Sequence, residues 1–211
     1  MLPALGTVAT ALLVSSFAAQ PAELAAPIFI DFSDLSHAAP APCLTFTPGG
    51  ELLDMQDANG NITSIDFYAV GPVSHNNRGG LAEPEVKRLQ RLAIHDATAD
   101  YFYTTNGGPD AKFVFAGLNP KQQYTVTCFG SREADTLRVT RYALRGAGDA
   151  EVAELKTSGP GTGNDGKGLA NDHATATLTT YPDADGKLEF SFGSGNNSFG
   201  YLNLLVLEPA G

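Results

Sequence analysis

Side chains able to do chemistry are few in this chain, and their grouping suits holding a ligand better than transforming one. Arg132 and Glu133 stand together where an apolar, β-branched run gives way to a polar stretch. A guanidinium fork beside a carboxylate can hydrogen-bond vicinal hydroxyls, or can pair across a turn toward Thr140 or Tyr142. Asn76, Asn77 and Arg78 occupy a second polar stretch, and Asn196, Asn197 and Ser198 a third. An amide places donor and acceptor side by side, which suits the edge of a sugar ring; next to glycine it equally suits a turn. Tyr101, Phe102 and Tyr103 can lend a ring to a sugar's apolar face, although alternation turns at least one of them inward, with Phe102 the core residue. The absence of Trp weighs against a strong stacking platform.

Familiar catalytic patterns do not occur. There is no G-x-S-x-G elbow, and Gly159-Pro-Gly-Thr-Gly163 lacks both the lysine and the strand-to-helix setting of a phosphate cradle. His37, His75, His95 and His173 stand far apart, without H-x-H or H-E-x-x-H spacing. Asp54, Asp57, Asn59 and Asn61 alternate as oxygen ligands do, yet Ile65 stands where an EF-hand needs its bidentate glutamate. A tight hairpin explains them better. Asp183 and Asp185 sit in a Pro-Asp-Ala-Asp-Gly turn, whereas glycoside hydrolysis needs carboxylates flanking a cleft. The expectation is therefore no enzyme and no cofactor. A structural calcium is compatible with an acidic sandwich but has no assigned position.

The 23 acidic residues outnumber the 13 basic ones, giving a formal charge of −10. Phosphate backbones and anionic lipid surfaces are repelled, so nucleic acid is excluded as a partner. A membrane enters only if the apolar N-terminal segment is retained. Residues 1–26 carry that segment, with an apolar run, a Ser16-Phe17-Ala18 exit of small-x-small form, and no Lys or Arg ahead of the run. A secretory signal is the reading it supports best, beside a retained anchor or an ordinary buried segment. The expected location is secreted, extracellular or at the cell surface. Cys43 and Cys128 fit an oxidising compartment, either as a bridge or as two buried thiols.

Elements that must position these residues read as short strands bounded by Gly, Pro, Asn or Asp. They run from Pro27–Ser33 and Cys43–Thr47 to Lys112–Ala116, Tyr124–Arg132, Leu137–Leu144, Glu151–Lys156, His173–Thr180, Lys187–Phe192 and Tyr201–Leu207. Asn59-Gly60 between apolar runs predicts a hairpin with a type I′ turn. Residues 83–94 alone show helical spacing, through Val86, Leu89, Leu92 and Ala93. This pattern predicts an all-β protein over residues 27–211: one domain, an antiparallel two-sheet β-sandwich of jelly-roll type with one short helix near 83–94.

The stretch Gly117-Leu-Asn-Pro120, Tyr124, Phe129-Gly-Ser-Arg132, Thr140-Arg-Tyr142, with Pro182–Gly186 and Phe199-Gly-Tyr-Leu-Asn203, resembles galactose-binding-domain-like β-sandwich modules. Ile28–Phe32 and the Leu53-Asp to Asn59-Gly60 hairpin are similar too. Such modules belong to secreted bacterial surface and polysaccharide-processing proteins. The resemblance covers residues 27–208 and implies non-catalytic binding of carbohydrate or another cell-surface component. Asn76, Asn77, Arg78, Arg132, Glu133, Asn196 and Asn197 are the expected contact residues. A structural or assembly subunit docked through a retained N-terminal segment is the alternative.

Overall fold

Alternation of apolar and polar residues writes most of this fold, because each strand turns one row of side chains into a shared interior. The computed structural model describes residues 24–76 and 78–211; the expected leader over 1–23 and Asn77 lie outside them. One sheet orders its strands as β11 (Ala176–Thr180), β8 (Tyr124–Phe129), β14 (Leu204–Pro209), β1 (Ile28–Phe32) and β2 (Cys43–Phe46). The facing sheet runs β10 (Glu151–Ser158), β9 (Arg138–Arg145), β12 (Leu188–Ser194), β7 (Ala111–Ala116), β4 (Asp66–Ala69) and β3 (Glu51–Leu52). A small third sheet of β13 (Gly200–Leu202), β6 (Tyr101–Thr104) and β5 (Ser74–Asn76) packs beside β9 and β12. The two-layer sandwich matches the sequence reading. Its pairing departs from it once among the described residues: β1 and β2 run parallel, with Phe29 opposite Cys43. Residues 33–42 carry the chain back over the sheet to permit this.

Phenylalanine fills the space between the sheets. Phe32 meets Phe46, Phe67, Phe102 and Phe113 at ring separations of 5.8, 6.0, 5.3 and 5.7 Å, mostly edge-on. Edge contacts of this kind add about 0.5–1.5 kcal/mol each beyond the buried area. Phe102 is fully buried here, as alternation requires. Leu24, only 2% exposed, joins the same core, so the folded unit begins ahead of residue 27.

The opposite face of the five-stranded sheet buries Phe29, Phe129, Leu204 and Val206 under Leu89, Leu92 and Ala97. The single helix expected over 83–94 is instead broken into α1 (Val86–Leu89), a 3-10 turn (Gln90–Leu92) and α2 (His95–Ala99). Gln90 takes a φ of 50°, which ends α1. The 3-10 turn eclipses side chains three apart, so Leu89 and Leu92 land together on the sheet while Val86 stays exposed.

Two local expectations change. Among residues 57–60 only Gly60 takes positive φ, whereas a type I′ turn needs two. The Asp57 carboxylate dictates the turn by accepting the Asn59 and Asn61 N–H groups and the Asn61 amide. These bonds hold its carboxyl below the usual range, the Asn61 amide most of all. Cys43 and Cys128 are free thiols. They sit on β2 and β8, with β1 and β14 between them, and pack on opposite faces of the sheet. Three strand spacings separate them by roughly 14 Å, well beyond disulfide reach.

Asp31 alternates with the core residues of β1 and is buried against the 33–45 loop. Its Oδ2 accepts the Ala39 N–H at 2.9 Å and the Thr45 hydroxyl at 3.3 Å, while Oδ1 is buried without a partner. Burial pushes its pKa up to about 7 despite the Ala39 bond, and the charge of Asp100 adds to the rise. Asp100, bonded to Ser33 Oγ, is raised as well, again mainly by burial. A carboxyl whose folded pKa lies above its unfolded value holds its proton more tightly when folded. Its favourable contribution is complete below about pH 4 and is lost as pH rises toward 7. Asp31→Asn, which keeps the acceptor for Ala39, therefore gains stability over the parent by on the order of 2–4 kcal/mol between pH 5 and 8. Urea unfolding across that range measures it; parallel curves for the two proteins would contradict the assignment.

Candidate functional site

Strand β8 leaves its sheet after Phe129, and the next residues are then held one at a time by separate elements. The Gly130 carbonyl accepts from Asn171 Nδ2 at 3.0 Å. The Ser131 N–H donates to Asn203 Oδ1 at 2.7 Å. Arg132 N–H reaches the Thr157 carbonyl, and Glu133 N–H the Gly79 carbonyl, both at 2.9 Å. A buried peptide group without a partner is costly, so this succession fixes the path of the segment as firmly as a ladder would. Gly130 is required by space: a Cβ would overlap Tyr142 Oη and the Tyr201 carbonyl, which are themselves bonded at 2.6 Å.

Asn203 is the second fixed point. The apolar run expected as one final strand, 201–207, is divided at this residue into β13 and β14. Its side chain is fully buried, accepting from Ser131 and donating from Nδ2 to the Thr98 carbonyl at 2.8 Å. One amide thus ties the segment bearing Arg132 to the turn that leads into Tyr101.

Between these anchors lies a stack of cations and rings. The Arg132 guanidinium donates to Tyr101 Oη and lies 5.6 Å from the Tyr101 ring and 5.8 Å from the Tyr201 ring. Arg138 lies 4.6 Å over Phe199 and 5.5 Å from Tyr201. Tyr101 meets Tyr201 edge-on at 5.1 Å, Phe199 stacks on Tyr201 at 6.4 Å, and Tyr103 reaches Phe199 at 6.4 Å. Tyr101 and Tyr201 are buried, whereas Tyr103 and Phe199 form a half-exposed margin. Burial, with the neighbouring charge of Arg132, lowers the Arg138 pKa. Burial raises the Tyr101 phenol against the pull of both arginines. Arg132 Nε, Arg138 Nε and Tyr201 Oη are buried without hydrogen-bond partners. Those three atoms lie inside the stack; what the site presents outward is the partly exposed remainder of the two guanidinium groups.

The three polar stretches singled out by the sequence meet around this stack. Asn76 ends β5, where its backbone pairs with Tyr101. Arg78 is exposed beside Gly79, which accepts from Glu133 and lies against Tyr101. Glu133 itself is exposed. Asn196 spends its amide locally, accepting the Val139 N–H and donating to the Leu137 carbonyl, and so fixes the loop beside Arg138. Asn197 is exposed with a φ of 57°, a turn position. Arg138, Phe199, Tyr201 and Asn203 escape the sequence reading. A two-residue period from Phe199 through Tyr201 to Asn203 was the available signal for the last three. His95 pairs with Asp96, His173 with Asp172, and Ser194 Oγ accepts from the Ser198 N–H.

No family model matches this chain, and no curated protein does. Solved structures similar to it include the extracellular domain of ANXUR1 from Arabidopsis thaliana, at 12% identity and a TM-score of 0.48, covering 77% of this chain and 47% of that one. The chain thus spans about half the length of that ectodomain. A family 35 carbohydrate-binding module from Clostridium thermocellum is similar at 11% identity and a TM-score of 0.38, covering 70% and 93%. The CBM22-1 xylan-binding domain of Xyn10C from Paenibacillus barcinonensis is similar at 8% identity and 0.36, covering 68% and 85%.

Asn203 carries a direct test of the site's construction. Asn203→Ala strands the Ser131 N–H and is expected to cost about 1–3 kcal/mol in urea unfolding. Asn203→Asp should cost more at neutral pH, because an oxygen then faces the Thr98 carbonyl. Losses below roughly 0.5 kcal/mol in both variants, the range of inert surface changes, would show that the clamp is dispensable.

Proposed function

We propose that this protein is an exported, non-catalytic β-sandwich module that binds carbohydrate, or another hydroxyl-rich component of a cell surface, at the rim around Arg132. The observation that carries this reading is the arginine–aromatic stack, in which two partly exposed guanidinium groups lie on rings beside a half-exposed ring margin. A sugar presents vicinal hydroxyls at its edge and an apolar C–H surface on its face. Guanidinium forks match the first, and the Tyr103 and Phe199 margin matches the second. The exposed Arg78, Glu133 and Asn197 would add hydrogen bonds from the surrounding loops.

Rigidity favours such a role. Each residue from 130 to 133 has its backbone fixed before a ligand arrives, so little conformational freedom remains to be lost on binding. Arg132 and Arg138 are held on rings rather than swinging free, which lowers the ordering cost of long side chains further.

Affinity electrophoresis of the full chain in gels containing neutral polysaccharides tests the proposal. Retardation by at least one polymer is expected, weakened tenfold or more in Arg132→Met. That substitution keeps the packing stem but removes the fork, and tenfold corresponds to about 1.4 kcal/mol. Failure of every neutral polymer to retard the protein, or equal retardation of the variant, would end this reading.

A further inference from the structure

A second concave surface lies on a different part of the molecule. The outer face of the six-stranded sheet, turned away from the core, contains a trough of about 410 Å³. Its apolar lining includes Val70, Val114 and Ala143 together with Phe113 and Phe190. Its charged lining is Lys112 on β7, Arg141 and Arg145 on β9, and Glu189 on β12 between them. We propose that this trough is a ligand site for an anionic polysaccharide strand, one that carries carboxylate or sulfate groups.

Strand register produces the arrangement. Ser191 of β12 lies opposite Lys112 on one side and Ala143 on the other, and Glu189 opposite Val114 and Arg145. Residues two apart on a strand share a face, so Lys112 and Val114 join Arg141, Ala143 and Arg145 on the solvent side. The cations of β7 and β9 therefore stand on either side of β12, roughly 10 Å apart. From the Val70 end of β4 to β9 the surface crosses three strand spacings, roughly 14 Å, which suits an extended oligomer better than a single small ion.

Charge selects the class of occupant. The chain carries −10 overall, yet three cations and one carboxylate line this trough. Among the described residues Lys112 and Arg145 have no ion-pair partner, and Arg141 reaches Asp110 only at 4.0 Å. Cations left unpaired in a concave surface concentrate a positive potential there. A nucleic acid, with a charge every ~1.7 Å of duplex, would meet the repulsion of the remaining surface. A glycan with more widely spaced charges meets less of it, and its C–H faces can lie on Val114 and Ala143.

Affinity electrophoresis in polygalacturonate and in dextran sulfate tests this site with the full chain. Retardation by either polymer is expected, diminished by salt, and the polymer that acts identifies the anionic group. The double variant Arg141→Gln/Arg145→Gln should bind the acidic polymer tenfold or more weakly, while its retardation by neutral polymers stays that of the parent. Lys112→Gln, a single exposed change, should weaken binding in the same direction if the double variant does not fold. No retardation by either acidic polymer, or unchanged retardation of the trough variants, would overturn the proposal. So would equal competition by a single-stranded oligonucleotide. Because the rim is tested with neutral polymers and Arg132→Met, failure of one site leaves the other distinguishable.

Discussion

A single buried carboxamide, that of Asn203, joins the parts of this molecule that carry its distinctive surface. Its oxygen takes the Ser131 N–H and its nitrogen gives to the Thr98 carbonyl, while its own backbone bonds Phe129 and Phe32. Four segments remote in sequence are thereby brought to one point. A carboxamide offers a donor and an acceptor side by side on one planar head, and asparagine's stem is shorter than glutamine's, which suits a residue enclosed on every side. Gly80 shows how tight the enclosure is, since a Cβ there would strike both the Asn203 amide and the Thr98 carbonyl. Once those segments are joined, Tyr101 and Arg132 have no choice but to meet.

The stack built on that junction explains why a chain without Trp can still present an aromatic margin. Tyr101 and Tyr201 are buried, so their rings serve as platforms for Arg132 and Arg138 rather than as a surface for a ligand. A guanidinium over a ring gains about 0.5–2 kcal/mol, more as water is excluded. That gain offsets burial and the repulsion between two nearby cations, which together lower the Arg138 pKa, burial most of all. The protein thus holds positive charge at its rim and again in the trough on the six-stranded sheet, against an acidic background. Net charge alone would have hidden both.

Much of the architecture was legible in the chain. Tyr124–Phe129 and Leu188–Ser194 announce themselves by period-two alternation, because a strand between core and solvent has no other way to bury one face. The parallel pairing of β1 with β2 was not legible, since alternation does not encode direction. Nor was the breaking of the 83–94 helix: Leu89 and Leu92 fit a helical period, but the sheet beneath them forces a tighter turn. The thiols could not be assigned from their positions either, because the strand order that separates Cys43 from Cys128 is a property of the assembled sheet.

For the site the division is similar. Arg132 and the polar loops stood out as residue types placed where strands end, and the sequence by itself determined that they lie at the rim of a sandwich. It also determined the acidic balance and the absence of familiar catalytic spacing. Only the tertiary structure decided that Arg138, Phe199 and Tyr201 complete the stack, that Asn196 is spent on the backbone of Leu137 and Val139, and that Asn203 is a clamp rather than a strand residue. The physical reason is that hydrophobic period is written locally, one strand at a time. Hydrogen bonds between Ser131, Asn203 and Thr98 exist only after the sheets have closed.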